Sequence, residues 1–210
     1  MVLLTAGLLA GCTGASYFPS SLFQAVEPCD YGNGRNGYPV MDDFRSEWYS
    51  SHLRAAGEPR LGGEAPPFAV DGFGVLRFTW LRSFDAPVVV RVEAASDGGL
   101  QLTAKELSGA GGYDPGRISR QIERRLSAEE TRSLIVMLKQ TGVLDLPPSD
   151  GCPIRENGEV IVHADGAHWI IEANGPDGYR YVDRWSGEGP VQDFGLYLVG
   201  LTDWAYDRVY

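Results

Sequence analysis

Between residues 75 and 107 the hydrophobic pattern settles to a period of two, and this constrains the fold more than any other feature. Val75–Phe84, Pro87–Ala95 and Gly99–Leu107 each alternate as a half-buried strand does. Asp85-Ala86-Pro87 separates the first two and Asp97-Gly98 the last two. An Asp-Gly pair suits a tight hairpin because such turns need positive φ. A second group follows: Glu159–Ala164 and Ala167–Ala173 flank Asp165-Gly166, Asn174–Gly178 turns the chain, and Tyr179–Trp185 is a further strand. Two three-strand meanders, each followed by a helix, predict an α+β domain. Its sheet is expected to be mostly antiparallel, with helices packed on one face.

The helices carry their own end signals. Asp42 or Asp43 can cap a helix running to about Ala56 and stopped by Gly57, with Phe44, Trp48 and Leu53 as its apolar stripe. Ser127 with Glu130 forms a capping box before a helix that runs to Thr141 and stops at Gly142. The basic stretch Arg117–Arg125 is read as helical. Gly189-Pro190 opens a last helix, with Val191, Phe194, Leu198, Leu201 and Ala205 at helical spacing.

The 210 residues, 43% hydrophobic and 22% charged, fit a single globular domain. A net charge of −10 argues against nucleic acid as a partner. No nucleophile elbow, phosphate loop, dinucleotide fingerprint, H-E-x-x-H or EF-hand loop occurs. No catalytic residue, cofactor or metal is assigned, and the reading leans away from an enzyme.

At the N-terminus, Val2–Ala10 is a short apolar run, too short to span a bilayer, ending Leu9-Ala10-Gly11-Cys12. This resembles the lipobox of bacterial lipoproteins. The resemblance implies removal of residues 1–11 and a diacylglycerol-modified, acylated Cys12 at the new terminus. Residues 12–40, rich in Gly, Ser, Pro, Asn and Tyr, then read as a tether, and 41–210 as the domain. Thr13 rather than Asp follows Cys12, which in enteric lipoproteins goes with the outer membrane. The expected setting is the cell envelope, lipid-anchored and facing the periplasm. If the lipobox is fortuitous, the alternative is a cytoplasmic protein.

In an oxidising compartment, Cys29 and Cys152 are expected to form a disulfide. Closing so long a loop contributes at most roughly 4 kcal/mol in the chain-entropy picture.

With Asp165-Gly166 as a two-residue turn, His163 faces His168 and Glu159 faces Glu172 across the hairpin. The histidines could supply two metal ligands, but no third is adjacent, so none is assigned. Arg180 is the expected partner of Glu172. Asp183-Arg184-Trp185-Ser186 ends a strand with polar and aromatic groups that suit either a ligand-binding ledge or an Asp–Arg pair beside a core Trp. His163, His168, Asp183 and Arg184 form the candidate surface site.

Four stretches are similar to those of an uncharacterised group of hypothetical bacterial envelope proteins, from about residue 44 onward. They are Trp48-Tyr49 with His52-Leu53-Arg54-Ala55, Arg77–Phe84, Asp165–Trp169 and Val182–Trp185. That resemblance implies no reaction and no site. The expected function is a non-enzymatic binding domain, anchored through Cys12, with an envelope protein or glycan as ligand. Rival readings are an envelope hydrolase of cell-wall or glycan material using dispersed carboxylates such as Asp183 and Glu172, and an interaction module in an envelope complex.

Overall fold

The structure, a computed structural model, describes residues 16–27, 37–151, 155–156, 159–160 and 165–210, except for the side chains of Tyr38 and of residues 155–160. In chain order the elements are α1 (Ser20–Gln24), β1 (Val26–Glu27), β2 (Tyr38–Pro39), α2 (Asp43–Ala55), β3 (Val75–Arg82), β4 (Val88–Ala94), β5 (Leu100–Leu107), β6 (Ile118–Arg125), α3 (Ala128–Thr141), a 3-10 turn (Val143–Asp145), β7 (Arg155–Glu156), β8 (Glu159–Val160), β9 (Ala167–Gly175), β10 (Gly178–Trp185) and α4 (Pro190–Gly200). One six-stranded sheet, ordered β10-β9-β3-β4-β5-β6 and antiparallel at every pairing, organises the fold. The α+β class and the antiparallel sheet agree with the sequence.

Strands β3, β4 and β5 lie where the period-two runs place them, and Gly98 has φ 78° in the Asp97-Gly98 turn. The capping box of α3 is formed in both directions: the Ser127 hydroxyl accepts from Glu130 N at 3.1 Å, and the Glu130 carboxylate accepts from Ser127 N at 2.7 Å. Gly142 caps the other end in the left-handed conformation. The last helix ends at Gly200, short of Ala205.

Two expectations are corrected. Arg117–Arg125 is not helical; its core forms the edge strand β6, so the first meander has four strands. Its side chains are mostly exposed and find partners across the strand, as when Arg120 donates to Glu106 at 2.7 Å. The hairpin expected between Glu159–Ala164 and Ala167–Ala173 is not found among the described residues either, residues 161–164 lying outside them. Strand β9 has β3 on one side and β10 on the other, leaving no edge for a third partner. Val160 instead faces Arg155 in the short β7–β8 pair. His168 therefore lies opposite Leu81 and Trp185, and Glu172 opposite Arg77 and Tyr181.

Both faces of the sheet are buried. Helices α3 and α4 cover one face with Leu134, Leu138, Phe194 and Leu198 over Phe78, Trp80, Val90 and Trp169. The other face lies beneath α2 and the N-terminal segment. There Phe18, Leu22, Tyr49 and Leu53 pack on Leu81, Val89, Ile170 and Tyr181. Phe18 and Leu22 belong to the stretch read as tether, and both are buried in this second core.

The second face is apolar only in part, and its charges are matched in place. Arg77 and Glu172 are fully buried, and Arg77 donates through Nε (2.8 Å) and Nη2 (2.6 Å) to Glu172 Oε2. Tyr179 donates to the other carboxylate oxygen at 2.7 Å. Glu58 bridges Arg91 at 2.8 Å and Lys105 at 2.7 Å. A buried charge survives only when paired and hydrogen-bonded in this way. Arg180 lies opposite Ala173 instead of Glu172, a one-residue offset that puts it on the opposite face.

Candidate functional site

Helix α2 sets the geometry of the site because it presents two stripes. Asp42 caps it by accepting from Arg45 N at 2.8 Å. The inward stripe is Ser46, Tyr49, Ser50 and Leu53, all buried. The outward stripe is Phe44, Glu47, Trp48 and Ser51, spaced three and four residues apart. Phe44 is thus not a core residue, being 74% exposed, whereas half-buried Trp48 packs against the second core and Leu53 belongs to the inward stripe.

The outward stripe faces the glycine-rich loop that joins β5 to β6. That loop is pinned onto the end of β3. Gly111 N donates to Asp85 O and Gly112 N to Ser83 O. A Cβ on Gly111 would lie 2.5 Å from the Arg82 nitrogen, so only glycine permits this approach. The Trp48 indole donates to Gly111 O at 2.7 Å and ties helix to loop. Between them lies a cleft of about 380 Å³ lined by Phe44, Glu47, Trp48, Ser51, Gly112 and Tyr113. Tyr113 is 66% exposed, and beside it Phe84 is 57% exposed, with ring centroids 6.0 Å apart. Exposed rings gathered at one concavity are the kind of surface that marks a binding site.

Behind Trp48 lies a second arrangement. The Trp48 and His168 rings meet edge to face at 5.1 Å, and Trp185 flanks the imidazole on another side at 4.8 Å. His168 Nδ1 is 2.9 Å from Asp183 Oδ1 and 2.8 Å from the Tyr49 hydroxyl. Tyr49 and Tyr181 reach Asp183 Oδ2 at 2.9 and 3.4 Å. Burial would push the Asp183 carboxyl up, but the adjacent His168, hydrogen bonds from His168 and Tyr49, and the Arg45 charge together hold it below the usual carboxylate range. Burial and the same carboxylate raise the Tyr49 hydroxyl well above its ordinary value.

These protonation states fix the imidazole. Tyr49 donates its one proton to an ionised Asp183, so neither oxygen can donate to Nδ1. The hydrogen must sit on Nδ1, because the other tautomer would set its lone pair against a carboxylate at 2.9 Å. Nε2 is then the basic nitrogen of the neutral ring.

Of the four candidate site residues, the structure brings His168 and Asp183 together. Arg184 lies opposite Trp169, on the other face of β10, and donates to Pro147 O and Asp183 O, both at 2.8 Å. Its Nε is 3.2 Å from Asp150, which also accepts from Trp185 N. Arg184 therefore anchors the 147–150 segment and does not touch the imidazole network. His163 lies outside the described residues, as do Cys12, Cys29 and Cys152. The cleft joins segments more than sixty residues apart and leaves no local pattern in the sequence. Its one available signal was Phe44 and Trp48 beside a glycine-rich loop bearing Tyr113.

Glu172 and Asp183, the carboxylates of the hydrolase reading, are both spent internally, Glu172 on Arg77 and Tyr179 and Asp183 on His168 and two tyrosines. Among the described residues no group of three or more His, Cys, Asp or Glu side chains could hold a metal ion. No described helix is long and apolar enough to cross a membrane. No protein-family model and no curated protein matches the chain.

Proposed function

We propose that this is a binding domain of the bacterial cell envelope, acylated at Cys12, held at the membrane by that lipid, and engaging its ligand at the cleft between α2 and the β5–β6 loop. The observation that carries the binding site is the convergence of the exposed rings of Phe44 and Tyr113 with Trp48 around one concavity. The anchor rests on Leu9-Ala10-Gly11-Cys12. An outer-membrane position facing the periplasm and a Cys29–Cys152 disulfide belong to the same proposal.

The test has two parts. Cys12→Ala should move the protein from the membrane fraction to the soluble one; unchanged fractionation contradicts the anchor. Immobilised protein should retain material from a solubilised bacterial envelope, and the folded double variant Phe44→Ala/Tyr113→Ala should not. Equal retention by both contradicts the cleft.

One observation favours a second reading, an envelope hydrolase. His168 has Nδ1 clamped by Asp183, which makes Nε2 the accepting nitrogen of the neutral tautomer, the arrangement a general base uses. In that reading His168, with 16% of its side chain exposed, replaces the paired carboxylates as the proton acceptor. Turnover of envelope material that His168→Asn abolishes would establish it.

A further inference from the structure

Resting on the cleft as the binding site, we propose that its ligand is a neutral saccharide. Three properties of the cleft point the same way. First, its walls are aromatic, and one of them is fixed. Trp48 is held at its indole nitrogen by Gly111 O and packed behind by His168, so its ring is set before any ligand arrives. Phe44 lies 6.0 Å from it and tilted by 45°, and Tyr113 closes the loop side. Aromatic faces of this kind suit the C–H faces of a sugar ring, which are apolar while the rim is hydroxylated.

Second, the polar groups match hydroxyls better than they match charge. Glu47 and Ser51 line the cleft. The Glu47 carboxylate is 3.3 Å from the Arg54 guanidinium, and both are about half exposed. The pair is locally neutral, and on the cleft side the Glu47 carboxylate and the Ser51 hydroxyl supply acceptors for the hydroxyls of a ring. An anion would meet Glu47 and a protein of net charge −10. A cation would find Glu47 already matched. A wholly apolar ligand would strip water from the Glu47 carboxylate, whose one contact with Arg54 leaves most of its acceptor capacity to solvent.

Third, the size is right for a few sugar units. About 380 Å³ falls at the small end of ligand pockets, and the exposed Phe84 beside Tyr113 extends the aromatic floor beyond it.

The test is titration of the full-length protein in detergent with chitotetraose and maltotetraose, read by tryptophan fluorescence. At least one is expected to give saturable binding that is insensitive to salt, as a site without net charge requires. Phe44→Ala and Tyr113→Ala should each weaken it by roughly three- to tenfold, the loss of one aromatic contact. Phe44→Tyr and Tyr113→Phe, which keep the rings, should restore it. Absence of saturable binding to either sugar overturns the inference, as does binding unaffected by the alanine variants. Tetramethylammonium and hexanol are titrated in parallel. If one of them saturates the cleft and the sugars do not, the saccharide is wrong while the cleft remains the binding site.

Discussion

His168 and Asp183 come from adjacent strands fifteen residues apart, and their side chains meet at 2.9 Å beneath helix α2. The carboxylate accepts from the imidazole and from two tyrosines, so the ring is held in one tautomer and one orientation. Nitrogen-15 NMR of the side chain should show Nδ1 protonated and Nε2 unprotonated in the neutral ring. The reverse assignment would mean that the Tyr49 hydroxyl does not donate to Asp183.

The same network makes stability depend on pH. Asp183 is held below its ordinary value in the fold, so its contribution is complete above the unfolded value, about 3.9, and is lost as pH falls through the lower folded value. Asp183→Asn should lower stability at neutral pH by about 3 kcal/mol, because it weakens the shared acceptor of three buried hydrogen bonds and leaves a donor facing donors. It should also flatten the fall in melting temperature as pH drops from the ordinary carboxyl value, about 3.9, downward. Parallel acid profiles for the two proteins would contradict this.

Arg77 and Glu172 make an analogous prediction in the core. Arg77→Met strands a carboxylate with no exposure and should cost about 3–5 kcal/mol by denaturant unfolding. The double variant Arg77→Met/Glu172→Met should recover much of that loss. A double variant as unstable as the single one would mean that the Arg77 bond to Pro59 O, 2.6 Å, matters more than the ion pair.

The cleft depends on one glycine. Gly111→Ala places a methyl group against the Leu81–Arg82 backbone, so the loop must lift and the Trp48–Gly111 bond must break. The overpacking and the lost bond together should cost about 2 kcal/mol. Trp48 emission should shift red as its ring loosens. Unchanged emission and stability would mean that the loop is not pressed onto β3.

Much of this architecture was legible in local pattern. Strands β3 to β5, the Asp97-Gly98 turn and the Ser127–Glu130 capping box all depend on residues close in sequence. Strand β6 was not legible, because an edge strand with polar side chains on both sides lacks alternation. The insertion of β9 between β3 and β10 was not legible either. The partners of β9 include a strand about 90 residues earlier, and the Asp165-Gly166 signal favoured a neighbour that does not pair with it. The same distance hid the site. Arg77 with Glu172, and Tyr49 with Asp183, are pairs that only the folded sheet creates. The polar face therefore looked solvated in sequence and lies buried in the structure. Phe44 misled in the opposite sense: its helical spacing suggested core, and the fold leaves it on the surface.

Whether the domain binds through the α2–loop cleft can be read by hydroxyl-radical footprinting. Full-length protein would be oxidised with and without solubilised bacterial envelope, and modification would be read at each aromatic residue. Protection is expected to concentrate at Phe44, Trp48 and Tyr113, with Phe68, exposed elsewhere on the surface, unchanged. Unaltered oxidation at those three, or protection only at other sites, would contradict it.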